Sequence, residues 1–185
     1  FRLDGAPGDE RWTIQGDIYN GIGDSELLLP TGAAPFVTRQ RDQLDVRGGN
    51  LVGRWTHTLG EASEMGLQLT YDYGFRRQEE LFGTLRSNVL DFDFQHRLPG
   101  PGRTDLLWGV GYRLKADEVS GPAPIAFAPS RRATHLATGF VQGDFPIGSR
   151  VGVTAGSKID HNSFTGIEVQ PNLRFLWVPG VRHAL

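Results

Sequence analysis

The sequence predicts an all-β fold: a segment of an antiparallel transmembrane β-barrel with about eight up-and-down strands. Apolar and polar residues alternate with a period of two, short connections alternate with long ones, and charged residues occupy the non-apolar face. Helical periodicity is hard to find, and 25 glycines and 11 prolines would interrupt most helices. No window approaches the roughly 18 consecutive apolar residues of a membrane helix, so strands would have to cross any bilayer.

The composition excludes several functional classes. A formal net charge of -2, with the arginines scattered along the chain, gives no basic field for a nucleic-acid backbone. The absence of cysteine excludes disulfides, thiolate metal sites and thiol catalysis. We therefore predict no nucleic-acid partner. We also expect no cofactor and no enzymatic activity, which composition alone does not decide.

Four strands are predicted in the N-terminal half, over residues 12–20, 49–59, 65–76 and 88–98. The third is the clearest, because every odd position from Met65 is apolar or aromatic, and every even position through Arg76 is polar or glycine. Alternate side chains of a strand point to opposite faces of the sheet, so one face of each strand is apolar. The fourth strand repeats the pattern with Leu90, Phe92, Phe94 and Leu98.

Four more strands are predicted in the C-terminal half, over residues 105–115, 136–145, 150–160 and 168–178. The first, third and fourth again have one apolar face. The segment 136–145 is predicted as a strand from its position and its Phe and Val content. Its faces are mixed, so the sequence does not assign its lipid-facing side.

The predicted connections alternate in length. Those over 60–64, 99–104 and 146–149 are short, that over 161–167 is moderate, and the long ones cover 21–48, 77–87 and 116–135. Short turns at one end and long loops at the other are typical of outer-membrane barrels. Tryptophans are expected near the short-turn interface, and other aromatic residues at the opposite one. The first group is Trp12, Trp55, Trp108 and Trp177, and the second is Tyr71, Tyr73, Phe75 and Tyr112.

The predicted polar face carries many charges, which a dry protein interior would not tolerate. They indicate a wet barrel lumen. A soluble β-sandwich or lipocalin-like barrel that binds a small apolar ligand also shows period-two alternation and stays open as another interpretation. The charged residues are Arg54, Asp72, Asp91, Asp93, Arg113, Lys158, Asp160 and Arg174.

Residues 140–177 resemble the barrel of TonB-dependent outer-membrane receptors. In that family a Phe-Val-Gln-acidic strand precedes a Gly-Xaa-Arg/Lys-Xaa-Asp-His strand and a Pro-Xaa-Leu-Arg strand. The counterparts here are 140–145, 151–161 and 170–174, with Gly143 where the family usually has an acidic residue. The resemblance implies a 22-stranded barrel of which residues 1–185 form an internal part, incomplete at both ends and without the N-terminal plug domain.

The function implied by this resemblance is TonB-dependent uptake of a scarce nutrient, such as an iron chelate or cobalamin, at the bacterial outer membrane. The implied partners are the lipid bilayer, a small-molecule ligand held by long extracellular loops, and TonB through an absent N-terminal region. The alternative is a small, complete eight-stranded outer-membrane barrel with a structural, adhesive or lipid-modifying role.

Two pairs of residues invite a chemical interpretation. Asp160 could orient His161, but neighbours on a strand point to opposite faces and would not touch. Asp91 and Asp93 share a face and could act as acid and base, although solvation or pairing with Arg113 is the simpler expectation. We predict no catalytic residue from either pair.

Other motifs favour structural roles. The segment 21–24 has too few glycines for a phosphate loop and is expected to begin a loop, and 162–164 is not a glycosylation acceptor because Phe164 holds the third position. His57 and His96 are expected at headgroup depth on the apolar face rather than as metal ligands. Ligand binding is expected in the loops 21–48 and 116–135, where the sequence identifies no individual residue.

Overall fold

The computed structural model describes residues 1–60, 62–78, 83–121 and 127–179. In these ranges every regular element is a β-strand, and each strand pairs antiparallel with the next in a single sheet ordered β1 to β9. The prediction of an all-β, up-and-down antiparallel fold is confirmed. The short first strand lies outside the eight predicted ones. The strands are β1 (Arg2–Gly5), β2 (Glu10–Pro30), β3 (Val37–Leu59), β4 (Ser63–Gln78), β5 (Gly83–Pro99), β6 (Asp105–Ser120), β7 (Arg131–Ile147), β8 (Val151–Asn162) and β9 (Gly166–Trp177).

The strand register joins the predicted faces into two continuous surfaces. Directly paired residues of antiparallel strands point to the same side of the sheet. Leu69 of β4 pairs with Phe92 of β5, and Phe92 pairs with Tyr112 of β6. The apolar sets of these strands therefore form one surface, here called the apolar face, and the intervening residues form the polar face.

The register also assigns the faces of β7, which the sequence left open. Trp108 pairs with Val141, and Val110 pairs with Gly139, so the odd positions of β7 lie on the apolar face. Phe140 consequently lies on the polar face. The sequence pattern was mixed because small residues occupy the apolar side of this strand while an aromatic residue occupies the polar side.

The apolar face is uncovered. No hydrophobic side chain among the described residues is buried, and Leu69 is 50% exposed and Leu173 75% exposed. A soluble sandwich would bury this surface against a second sheet. Within the described ranges the sheet instead presents a large apolar surface to its surroundings, with no helix long and apolar enough to span a membrane.

The predicted long connections are wrong in extent, because the strands continue into them. β2 and β3 pair without interruption as far as Pro30 and Val37, leaving residues 31–36 as the connection instead of 21–48. Of the predicted loop 116–135, residues 116–120 and 131–135 are strand, and 122–126 lie outside the described residues. The predicted connection 161–167 shortens to 163–165. Of the predicted loop 77–87, the described residues 77–78 and 83–87 are strand.

Backbone pairing explains this difference. A ladder can continue wherever cross-strand pairs are compatible, whether or not one face is apolar. The short connections that follow β3, β5 and β7 agree with the prediction; residue 61 in the first of them lies outside the described residues. The hairpins therefore project farther at one end of the sheet than at the other. The longest projection joins β2 and β3, where Gly21–Pro30 pairs with Val37–Val46. We call these two segments the β2–β3 extension.

Candidate functional site

The polar face collects all eight charged residues that the sequence assigned to it. Rows of directly paired residues cross the sheet, one of them running from Arg54 through Gln68 to Asp93. Arg54 donates two hydrogen bonds to Oε1 of Gln68, at 3.0 and 2.7 Å. Hydrogen-bonding groups thus succeed one another across several strands, as expected for a wall in contact with water.

The two neighbouring aspartates of β5 have different surroundings. Asp91 pairs with Arg113 on β6, whose Nε lies 2.6 Å from Oδ1 of the carboxylate. Asp93 lies over Gly111, where an added Cβ would come within 3.0 Å of its Oδ1. The expectation that an aspartate here binds Arg113 is confirmed for Asp91. The contact makes this residue a member of a cross-strand ion pair.

Asp160 does not orient His161, because the two side chains lie on opposite faces, as predicted. Asp160 is 7% exposed and accepts a hydrogen bond from Oγ1 of Thr138 at 2.8 Å. Nζ of Lys158 lies 2.8 Å from Oδ2 of the same carboxylate. Asp160 therefore ties β7 to β8 on the polar face.

Histidines and tryptophans cluster on the apolar face near the short turns. The ring of His57 stacks on Trp55 at 5.7 Å between centroids, and His96 approaches the edge of Trp108 at 5.9 Å. The described residues contain no group of three or more metal-ligating side chains. The two imidazoles lie on the apolar face near the ends of their strands, as the sequence predicts, within a cluster of amphipathic rings.

The aromatic residues separate along the strands as the sequence predicts. All four tryptophans lie on the apolar face at the short-turn end, where Trp12 pairs directly with Trp55. At the other end Tyr71 donates a hydrogen bond to Oδ1 of Asn88 at 2.7 Å, and the Tyr112 hydroxyl lies 2.5 Å from Nδ1 of His135. Two bands of amphipathic rings therefore border the apolar face.

The two short motifs have structural roles. Residues 21–24 lie within β2, so the expectation that they begin a loop is wrong. Oδ1 of Asn162 accepts hydrogen bonds from the backbone N–H groups of Phe164 and Thr165, both at 2.8 Å. Asn162 therefore stabilises the turn between β8 and β9.

The β2–β3 extension presents an ion pair and a buried carboxylate that sequence reasoning did not identify. Arg39 donates a hydrogen bond to Oε1 of Glu26 at 3.0 Å. On the polar side, Asp42 is 6% exposed and its Oδ2 has no hydrogen-bond partner. The first segment carries Glu26 and the second carries Arg39 and Arg41, and these opposite charges become informative only once the register brings them together.

A cluster of three arginines lies beyond the tyrosine band on the same side of the sheet as the apolar face. Asp45 is 4% exposed and binds Arg47 through two contacts, at 3.0 and 2.7 Å, and its Oδ2 lies 3.6 Å from Nη2 of Arg77. The guanidinium carbons of Arg47 and Arg86 lie 5.9 and 5.7 Å from the ring centroid of Phe75. We call Arg47, Arg77 and Arg86 the arginine cluster.

Comparison with known proteins identifies a structural relative. No protein-family model and no curated protein sequence matches the chain. Among solved structures, the crystal structure of the siderophore receptor PirA from Pseudomonas aeruginosa is similar over 97% of this chain, with a TM-score of 0.66 and 14% sequence identity. The chain spans 38% of the length of that receptor. At this identity the similarity establishes a shared β-barrel fold.

Proposed function

We propose that this chain forms part of the wall of an outer-membrane barrel of the TonB-dependent type, which takes up a scarce nutrient such as an iron chelate or cobalamin. The observation that carries the proposal is a continuous two-faced sheet whose apolar face is uncovered. The structural match to a siderophore receptor, which covers 97% of this chain, supports the proposal. The strand motifs of residues 140–177 support it as well.

The apolar face suits the hydrocarbon of a bilayer. Its strands carry large exposed side chains such as Leu69, Val110 and Leu173 in the middle, with tryptophans at one end and tyrosines at the other. Membrane strands need about 10 residues to cross, and aromatic rings with a polar edge favour the headgroup region. The 16 residues of β4 are enough to cross and to project beyond.

The polar face suits the wet lumen of a wide barrel. Its charges are paired, across two strands in Asp91 with Arg113 and along β8 in Lys158 with Asp160, and the side chains of Arg113 and Lys158 stay about half exposed. A narrow barrel fills its interior with side chains and would bury such groups. We propose that the polar face borders the passage of the ligand and that the chain has no catalytic role.

The β2–β3 extension is proposed to stand on the extracellular side. It projects from the end of the sheet opposite the short turns, which in outer-membrane barrels face the periplasm. A rigid hairpin carried by the barrel can position side chains for ligand binding. The proposal therefore moves the ligand-contacting region from a flexible loop to a strand pair.

Nutrient uptake in the native bacterium tests the proposal. Deletion of the gene should abolish uptake of one class of radiolabelled iron chelate or of cobalamin, and loss of TonB should have the same effect. A plasmid copy of the full-length gene should restore uptake. Unchanged uptake of every compound tested would contradict the transport role.

A second measurement tests the alternative that the chain forms a small, complete eight-stranded barrel. The 185 residues expressed alone are refolded into detergent, and heat-modifiable gel migration, protease resistance and solution mass are measured. We expect aggregation, because unpaired edges of β1 and β9 would cost several kcal/mol per backbone group in hydrocarbon. A monodisperse, protease-resistant, heat-modifiable monomer would favour the small barrel instead.

A further inference from the structure

The two sides of the sheet exchange character in the β2–β3 extension. Leu27, Leu29 and Leu44 continue the polar face there, because the unbroken register keeps odd residues of β2 and even residues of β3 on that side. We call this the inner side of the extension, since it continues the wall that borders the proposed passage. The opposite side carries the charged residues Glu26, Arg39, Arg41, Asp45 and Arg47.

The leucines of the inner side are partly covered by the fold. Leu27, Leu29 and Leu44 are half-buried, whereas Leu28, on the other side of β2, is 65% exposed. Asp42 lies between Leu27 and Leu44, two residues along β3 from Leu44 and diagonal to Leu27. Such neighbours are separated by about 7–8 Å, so one small molecule can contact the carboxylate and a leucine together.

The carboxylate of Asp42 is buried without a hydrogen-bond donor at Oδ2, although the residue is only 6% exposed. Ser25, its direct cross-strand partner, donates its hydroxyl to the backbone oxygen of Asp42 at 3.1 Å. Gln78 donates to Oγ of Ser25 at 3.4 Å and accepts a hydrogen bond from Nη2 of Arg76 at 3.2 Å. The polar groups beside Asp42 are therefore engaged with one another and leave Oδ2 available to a further donor.

An ionised carboxylate that is removed from water and lacks a donor is unfavourable. A positively charged donor offsets this cost better than a neutral one, because charge-assisted hydrogen bonds are the stronger kind. A bare metal ion is a poorer match, since the described residues place no group of three metal-ligating side chains here and the leucines would contribute nothing to its binding.

We infer that the inner side of the β2–β3 extension binds an organic cation whose ammonium group donates to Oδ2 of Asp42 and whose apolar body packs on Leu27 or Leu44. The carboxylate selects the charge, and the leucines select the apolar body. The inference rests on the proposed function, in which the extension contacts the ligand, and it names the chemical class of the group that is recognised there.

The test uses the full-length protein in lipid nanodiscs and isothermal titration calorimetry, with the heat of empty nanodiscs subtracted. Phenethylammonium is the probe. Hydrocinnamate reverses the charge, phenethyl alcohol removes it, and methylammonium keeps the charge without the apolar body. Wild type should bind phenethylammonium more tightly than all three reference compounds.

Two variants separate the contributions of charge and apolar surface. Asp42→Asn keeps the shape of the side chain and should weaken phenethylammonium binding by about tenfold, because a charge-assisted hydrogen bond is lost. The double variant Leu27→Ser and Leu44→Ser should weaken it severalfold, since the apolar body loses its partners. Heat-modifiable migration verifies that each variant is folded.

Matched controls change the same residue types elsewhere. Asp93→Asn removes a carboxylate from the polar face outside the extension, and Leu28→Ser removes a leucine from the opposite side of β2; both should bind the probe as wild type does. The inference is overturned by undetectable binding of phenethylammonium, by equal affinity for any reference compound, by unchanged affinity in Asp42→Asn, or by an equal loss in Asp93→Asn.

The outcomes separate this inference from the proposed function, because probe binding by the purified protein needs neither TonB nor transport. A receptor that supports nutrient uptake but does not discriminate phenethylammonium from hydrocinnamate contradicts the cation site alone. A protein that binds the probe through Asp42 but restores no uptake contradicts the transport role and leaves the site in place.

Discussion

The two faces of the sheet are formed by alternate residues of the same strands, yet different interactions stabilise them. Leu69 on the apolar face is half exposed between apolar neighbours, whereas Thr70, the next residue, lies opposite Asp91 on the polar face. Between its two aromatic bands the apolar face consists mainly of side chains that cannot form hydrogen bonds, so the stability of this region depends on the surrounding medium. The polar face depends on individual cross-strand pairs.

The largest expected effect comes from placing a charge on the apolar face. Leu69→Arg should destabilise the full-length protein by roughly 2–4 kcal/mol, because in the proposed barrel its guanidinium would lie near the middle of the bilayer, where it is poorly solvated. Thr70→Arg is the matched control and should cost much less, since its side chain meets water. Reversible unfolding in lipid vesicles measures both, and equal costs would refute the assignment of the faces.

A smaller loss of stability is expected when a larger side chain is placed in a crowded position on the polar face. An added Cβ at Gly109 would lie 2.6 Å from the ring of Phe140 and 2.6 Å from the backbone oxygen of Phe94. Gly109→Val should therefore destabilise by about 1–3 kcal/mol through overpacking.

Gly139 on the apolar face provides the comparison, because nothing lies within 4 Å of an added Cβ there. Gly139→Val should not destabilise the protein, since a branched side chain favours a strand. Unfolding in lipid compares the two variants. If Gly139→Val lowered the free energy of unfolding as much as Gly109→Val, side chains would be packed equally tightly on the two faces, contrary to the structure.

The ion pair between Asp91 and Arg113 should contribute less to the free energy of unfolding than either Leu69→Arg or Gly109→Val removes. A double-mutant cycle with Asp91→Asn and Arg113→Gln should give a coupling energy of about 0.5–1 kcal/mol, since Arg113 is 56% exposed and water screens the pair. The coupling should fall in high salt. The parallel cycle with Asp93→Asn should give a smaller value, and a larger coupling there would contradict the observed pairing.

The smallest difference is expected among the four tryptophans. Quenching by lipids brominated at different acyl positions should place Trp12, Trp55, Trp108 and Trp177 at one depth, because all four lie on the apolar face near the short turns. Single-tryptophan variants of the full-length protein allow each depth to be measured separately. Two tryptophans at opposite interfaces would mean that the order of up and down strands is wrong.

The sequence alone determined the all-β class and the two faces of most strands. Strands such as 65–76 show their faces directly, because side-chain direction alternates from one residue to the next as a local property of extended backbone. The charges of the polar face, the separation of tryptophans from tyrosines and the opposite orientation of Asp160 and His161 follow from this local rule, and the structure confirms each.

Only the tertiary structure decided the extent of the strands, the faces of β7 and the arginine cluster. Residues 21–48 carry no alternation that distinguishes a long hairpin from a loop, and the ladder between β2 and β3 depends on pairing across the chain. Asp45, Phe75 and Arg86 are far apart in sequence and meet only in one register. Hydrogen bonds between strands are nonlocal, so alternation within one strand assigns a face but cannot identify the partner that lies beside each residue.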